Sequence, residues 1–217
     1  MYYSQYGEDK FLNDNFFKNK KNGRYIELGA LDGTLFSNTK FFQDTLNWTG
    51  ILIEPHKEKY NNLINNRKNN YIFNELVSCE NKPLKFQYIN NIEAVSSIIS
   101  TQPISHNGNN GWFKKYNSNT VTMTPKSLTE IIKKTPYNHF HLLSLDVEGH
   151  ELEVLKSLDF NTIKVDVILM EALDGSENDN NRVKKCRELL LNNSYEFIIR
   201  EKHNEIFIHK SCITNYL

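Results

Sequence analysis

What the chain lacks narrows its class first. Its 26 lysines and arginines balance 26 aspartates and glutamates over 217 residues, so neither sign is in excess. A nucleic-acid surface normally needs a clustered positive field, and this balance argues against one. The three cysteines, Cys79, Cys186 and Cys212, are widely spaced, with no CxxC pair and no metal-ligand spacing. Buried or semi-buried thiols in a reducing compartment are expected, rather than a disulfide framework or a redox centre. No apolar run approaches membrane-spanning length, and Met1–Lys10 is polar and acidic rather than basic and then apolar. The expectation is a soluble, cytoplasmic protein without a signal peptide. No internal repeat or linker divides the chain, and its length suits one domain with a substantial core.

What is present is a succession of short apolar runs and amphipathic segments. Phe11, Leu12, Phe16 and Phe17 predict a helix over Glu8–Phe17. Arg24–Leu28 reads as a strand, and Ser37–Asn47 as a helix with Phe42, Thr45 and Leu46 on one face, capped by Ser37 or Asn38. Ile51–Pro55 reads as a fully buried strand, followed by a helix over His56–Asn66 (Tyr60, Leu63, Ile64) and a strand over Tyr71–Val77. That order predicts βαβ units with right-handed crossovers. Pro83–Tyr88 and Val95–Ser100 read as extended, with some helix between them. Thr101–Asn119 is nearly all turn formers around His106, Trp112, Phe113 and Tyr116, the composition either of a lid or binding loop or of a plain surface excursion. Further on, helices are expected at Ser127–Lys134, at His150–Leu158 and through Val183–Leu190, with strands at Phe140–Leu145 and Lys164–Met170. A closing hairpin, Tyr195–Ile199 and Glu205–His209, is expected at the sheet edge. The organisation expected is one domain over 1–217, with a helical extension at 1–20 and a substrate-side insertion at 82–126.

Four of these strands end in an acid: Glu27, Glu54, Asp146 and Glu171. Ligands of open α/β sheets bind beyond the carboxyl ends of the strands, so four acids on one edge form a constellation. Gly29 and Gly33 permit close backbone approach beside Glu27, which could take a cofactor's ammonium group or orient the loop. Glu54 suits bidentate acceptance from two ribose hydroxyls. The first loop reads G-A-L-D-G and lacks the G-x-G-x-x-G spacing, so a cofactor with a ribose but no phosphate fits better than a dinucleotide.

These segments resemble a known family. Tyr25–Gly33 with Phe36-Ser37-Asn38-Thr39, then Ile53-Glu54-Pro55, then Leu145-Asp146-Val147-Glu148-Gly149-His150-Glu151-Leu152-Glu153-Val154-Leu155 are similar to the FkbM S-adenosylmethionine-dependent methyltransferases. Ser4–Lys10 and Ile168-Leu169-Met170-Glu171 are similar too. The resemblance implies a Rossmann-like three-layer α/β/α sandwich around a seven-stranded, mostly parallel sheet with an antiparallel C-terminal hairpin strand. It implies S-adenosyl-L-methionine as cofactor and methyl transfer, commonly to a hydroxyl oxygen. By position, Glu27, Gly29, Ala30, Asp32 and Gly33 would line the methionine part, with Ser37, Asn38 and Thr39 nearby. Glu54 and Pro55 would hold the ribose, Val77 and Ser78 would lie near the adenine, and Asp146 would sit by the sulfonium and the acceptor. His150 stands where the family often has a small residue, so no role is inherited for it.

The expected chemistry has Asp146 as general base or acceptor-orienting acid and His150 as second candidate, assisted by Glu148 and Glu171. His106, Trp112, Phe113 and Tyr116 are the expected acceptor contacts. A divalent ion such as magnesium on Asp146, Glu148, His150 and Glu171 is ranked below a metal-free site. The leading reading is an O-methyltransferase of a sugar, glycan or related small molecule, with a nucleotide sugar among the acceptors considered. The alternatives are an RNA ribose 2′-O-methyltransferase and a catalytically inactive cofactor-binding scaffold. Neither a nucleic-acid nor a membrane partner is expected, and a homo-oligomer is left open.

Overall fold

The computed structural model describes residues 1–89 and 95–217. In chain order its first elements are α1 (Glu8–Leu12), which runs on as a π-turn over Asn13–Phe17, then β1 (Arg24–Leu28), α2 (Lys40–Leu46) and β2 (Thr49–Ile53). Next come α3 (Lys57–Asn66), β3 (Tyr71–Phe73), β4 (Leu84–Tyr88), β5 (Ser96–Ile98), α4 (Ile104–Asn107), α5 (Trp112–Lys115) and β6 (Asn119–Met123). The remainder is α6 (Leu128–Ile132), β7 (His139–Leu145), α7 (Glu151–Lys156), β8 (Lys164–Glu171), α8 (Glu177–Asn192), β9 (Tyr195–Glu201) and β10 (Asn204–His209).

Seven strands form one sheet in the order β3-β2-β1-β7-β8-β10-β9. The first five are mutually parallel, and β10 inserts antiparallel to both β8 and β9. Both faces of the sheet are covered, which is why its strands read as continuous apolar runs rather than alternating ones. In β2, Ile51 and Ile53 enter one buried cluster and Leu52 enters the other. The first cluster is completed by α6, α7 and α8, through Leu128, Leu155 and Leu190. The second lies under α1, α2 and α3, through Leu12, Phe42 and Leu63. This is the Rossmann-like α/β sandwich that the family resemblance implied, built on the βαβ order read from the first strands. Among the described residues, no helix is long and apolar enough to cross a membrane.

A second sheet of three strands, β5-β4-β6, closes around its own small core of Leu76, Leu84, Phe86 and Ile98. The sequence suggested β4 and β5 but not β6, whose residues are almost all exposed and so show no alternation. The helix expected between β4 and β5 falls largely on residues 90–94, outside the described residues. The segment after Ser100, read as turns, carries the short helices α4 and α5.

Other boundaries moved for local reasons. The helix expected from Ser37 starts at Lys40, because the Ser37, Asn38 and Thr39 backbone and side chains are drawn onto Glu27. Neither Ser37 nor Asn38 is the N-cap; Thr39 occupies that position. The third strand stops at Phe73, and Asn74 instead donates its side chain to the Glu54 and Pro55 carbonyls. Thr45 and Ile64 face outward, with Phe41 taking the buried place beside Phe42. Cys79 is exposed, whereas Cys186 and Cys212 are buried.

Candidate active site

Register assembles the site. Leu28 pairs with Ile53 on one side and Leu145 on the other, and Leu145 pairs with Met170. The next residues, Gly29, Glu54, Asp146 and Glu171, therefore stand in one row at the carboxyl edge of the sheet. Gly29 has φ +75° and donates its N–H to the Ile53 carbonyl at 3.2 Å. A Cβ there would run into the Asp146 carbonyl, so β1 and β7 approach this closely only through glycine.

A groove enclosing about 850 Å³ of empty space, its open mouth included, runs along this row. Gly29, Glu54, Pro55, Val77, Asp146, Glu148, His150 and Glu171 line it, all of them candidates from the sequence. Its apolar lining includes Ile53, Leu76, Val77, Phe86 and Ile98. A second chamber opens beside it, lined by Asn38, His106, Trp112, Tyr6 and His203 among others. Asp146, Glu148 and Glu171 belong to both walls.

Glu54 is almost wholly buried; its carboxylate accepts from Leu31 N at 3.0 Å and His56 N at 2.8 Å. Burial pushes its carboxyl up to about 7, although both backbone donors favour the ionised form. Asp146, Glu148 and Glu171 bring carboxylate oxygens within 4.8 Å of one another. Burial, then the charges of Glu148 and Glu151, hold Asp146 well above the ordinary carboxylate range. Burial and the charge of Asp146 do the same to Glu171, whose Oε2 is buried without a hydrogen-bond partner. Three non-glycine residues of the groove, Leu31, Phe36 and Glu148, have φ of 48°, 57° and 53°. Such conformations cost roughly 1 kcal/mol or more each and persist where surrounding structure over-determines them.

Several expected site residues stand back from the groove. Glu27 is buried and fully engaged: it accepts from Ser37 Oγ, Asn38 N at 2.8 Å, Thr39 Oγ1 at 2.6 Å and Arg67 Nη1 at 3.4 Å. Of its two expected roles, these contacts describe loop orientation and leave nothing for an ammonium group. Arg67 is itself completely buried and reaches the Gly33 carbonyl (2.9 Å), Tyr25 Oη (2.8 Å) and Gln43 Oε1 (2.7 Å). Asp32 folds the loop by accepting from Thr34 N and Leu35 N, both at 2.8 Å. Ala30 is part of the core, and Ser78 lies behind the wall, bonded to His150.

His150 faces the groove but does not join the carboxylates. Its Nδ1 meets Thr101 Oγ1 and its Nε2 meets Ser78 Oγ, both at 3.0 Å, so neither nitrogen is free for a metal or an acceptor proton. Burial lowers its pKa to about 4, which keeps the ring neutral. His106 is the histidine in contact with the acids, its Nε2 lying 3.2 Å from Glu148 Oε2 and its Nδ1 3.3 Å from Ser97 Oγ. Trp112 lines the chamber with it. Phe113 and Tyr116 do not: Phe113 packs edge-on against His106, and Tyr116 stacks on Trp112 with ring centroids 5.7 Å apart.

Groove residues that sequence reasoning missed include Phe86, Ser96, Ser97 and Ile98, all from the second sheet, and Gln5, Phe36 and Glu75. Gln5 and Phe36 did lie within segments similar to the family; the second-sheet residues follow no motif. Another missed group, His139, His141 and Asp166, gathers at the opposite end of β7 and β8. His141 Nδ1 accepts from Arg24 N at 3.0 Å and His139 Nε2 meets Asp166 Oδ1 at 2.8 Å, a hydrogen-bonded cluster.

The fold and its carboxyl-edge groove define the class: a Rossmann-like, S-adenosylmethionine-dependent methyltransferase. Residues 27–197 match the methyltransferase FkbM domain, and the chain belongs to that family. Among solved structures, fibrillarin from Aeropyrum pernix with natively bound S-adenosyl-L-methionine is similar over 94% of this chain and 73% of that one, at 11% identity and a TM-score of 0.52. An FkbM methyltransferase from Methylobacillus flagellatus KT is similar over 86% of this chain but 43% of its own, at 11% identity and a TM-score of 0.51. At that identity, both likenesses speak to the fold. No curated protein matches the chain.

The groove's chemistry fits S-adenosylmethionine, the family's cofactor. The apolar lining suits a flat heterocycle, and the Glu54 carboxylate keeps lone pairs for a ribose diol. The glycine turn leaves room for the methionine part.

Proposed function

We propose that this methyltransferase transfers the methyl group to a hydroxyl oxygen of a sugar, glycan or related small molecule. The observation that carries the reading is the shared wall: Asp146, Glu148 and Glu171 face the cofactor groove and the adjoining chamber at once. Only there can one set of groups address both partners of a transfer. Glu54 would hold the ribose, Val77 and the apolar lining would hold the adenine, and Gly29 would let the backbone approach the methionine part.

When bound, S-adenosylmethionine supplies an electrophilic methyl group on its sulfonium. The protein's part is then to hold the acceptor oxygen in line and remove its proton. Asp146 suits that second task, because a carboxylate whose pKa is raised by desolvation and by the neighbouring charges of Glu148 and Glu151 is a stronger base than an isolated, solvated one. Glu171, crowded against it, shares the proton taken up. His106 and Glu148 orient the rim of the chamber, and Trp112 offers a ring face to a sugar. His150 acts through Ser78 and Thr101 as a support for the groove wall.

The proposed transfer is metal-free, with desolvation and neighbouring charge supplying the base strength, although Asp146, Glu148 and Glu171 lie close enough to hold an ion. Turnover that survives chelation would agree with this; loss restored by magnesium would overturn it. The function itself is tested by incubating the protein with S-adenosylmethionine and a panel of glycosides while following methylated product. Product with the native chain, and none with Asp146→Asn, is expected. Cofactor binding without methylation of any hydroxyl acceptor would remove the proposal.

A further inference from the structure

The charge of the two cavities selects among acceptors. Their walls include Glu8, Glu54, Glu75, Asp146, Glu148 and Glu171 and, among the described residues, not one lysine or arginine. Lys202, which precedes the chamber residue His203 in the β9–β10 turn, is engaged by the Tyr6 carbonyl and ring. A site built for a phosphate offers guanidinium or ammonium groups, or free backbone N–H groups, at the anion. Here, among the described residues, an anion would meet carboxylates beside histidines and neutral polar groups, with no guanidinium or ammonium group on the walls.

The rim points the same way. Tyr6, Phe36 and Trp112 line the chamber with 45%, 37% and 40% of their surface exposed, unusual for large rings on a cavity wall. Such faces pack against the C–H side of a sugar ring and carry no charge preference for anions. Inside, Glu171 Oε2 is closed off from water and lacks a donor, a position that an acceptor's hydroxyl can fill.

We infer that the acceptor is an uncharged, polyhydroxylated sugar that enters without phosphate. It is a glycoside or glycan rather than a nucleotide sugar or RNA. The inference rests on the methyl-transfer reading and narrows it. It also orders the chemistry, because methylation then follows the glycosyl transfer that removes the nucleotide. Each unit of negative charge on an acceptor, held about 8 Å from one uncompensated carboxylate, lowers capture roughly thirtyfold at an effective dielectric of about 20.

The test pairs turnover with binding. The full chain is given S-adenosylmethionine and, in parallel, a methyl hexopyranoside, its 6-phosphate and the matching uridine diphosphate sugar, and a short RNA. The same ligands are titrated calorimetrically into the protein loaded with S-adenosylhomocysteine. The glycoside is expected to bind and be methylated, with both phosphorylated forms at least about thirtyfold lower in kcat/KM. Glu8→Gln should narrow that gap, as should raised salt. A uridine diphosphate sugar or RNA used as well as the glycoside would overturn the inference and leave methyl transfer standing. Binding of the glycoside but not its phosphate, with no methylation of any ligand, would do the reverse. Binding of none of them, with no methylation, would overturn both.

Discussion

Glu27 and Glu171 are the same residue type at the ends of strands that both flank β7, and the protein treats them in opposite ways. Glu27 is met by a backbone N–H, two hydroxyls and a buried guanidinium. Glu171 is pressed against Asp146 and Glu148, and its Oε2 has no donor at all. Folding alone would favour the first arrangement everywhere, since an unsatisfied buried acceptor costs about 1–3 kcal/mol. The second leaves Asp146 and Glu171 to share a proton and keeps an acceptor that a ligand can complete. The cofactor side is thus held rigid by bonds already made, and the acceptor side is left with bonds to make.

The sharpest test of that contrast is Asp146→Asn. It should lower kcat by about 10²- to 10⁴-fold while S-adenosylmethionine affinity, measured calorimetrically, changes only a few-fold. An equal loss in affinity would move Asp146 to the cofactor side of the divide. Arg67→Met attacks the rigid side by leaving Glu27 buried and uncompensated. Breaking a buried pair costs about 3–5 kcal/mol, on the order of 10 °C in Tm for a chain of this size. A shift under a few degrees would show that Ser37, Asn38 and Thr39 hold Glu27 unaided.

Glu54 lies between the two regimes, bonded at two points yet facing the groove. Its carboxyl is raised to about 7 from 4.5, so the stability it contributes is present in full below pH 4.5 and lost as pH climbs through 7. Relative to Glu54→Gln, the ligand-free native protein should therefore lose about 3 kcal/mol between pH 4.5 and 8, read from urea unfolding. The comparison cancels His150, whose lowered pKa removes stability as pH falls from 6.5 through about 4. Cofactor affinity should run the other way, weakening as pH drops below 7, because a protonated Glu54 cannot accept from both ribose hydroxyls. The smallest effect is expected at the rim. Trp112→Ala should raise the acceptor KM by roughly tenfold or less and change Tm little, since the ring is 40% exposed and stacks on Tyr116, its neighbour at the end of α5.

These regions also differ in how far they could be read from sequence. Three of the row, Glu54, Asp146 and Glu171, were legible because parallel strands end together, so an acid after an apolar run falls on one edge. Glu27, read as the fourth, lies one residue inside the end of β1, and Gly29 takes that place. The closing hairpin was legible from two apolar runs separated by a charged turn, while the count of seven strands came from the family resemblance. Arg67 was not: nothing in Asn66-Arg67-Lys68 announces a wholly buried guanidinium, and its partner Glu27 is 40 residues away. Nor was the second sheet, whose β6 is exposed on both faces and whose groove residues Phe86 and Ile98 depend on a non-local pairing. His150 looked like a base because histidine is the usual one, and only the packing reveals its two hydroxyl partners. His106 was read as a sugar contact, and its link to Glu148 appears only once α4 is laid against the end of β7.

The chamber's far wall joins the two extremities of the chain. Asn204, at the start of β10, donates to Glu8 across 196 residues of sequence, and His203 packs on Tyr6 in the turn before it. The strands that carry the cofactor row all lie between Arg24 and Glu171, and Tyr6, Glu8, His203 and Asn204 line the chamber but not the groove. The chamber thus depends on a seam between distant parts of the chain that the groove does not touch.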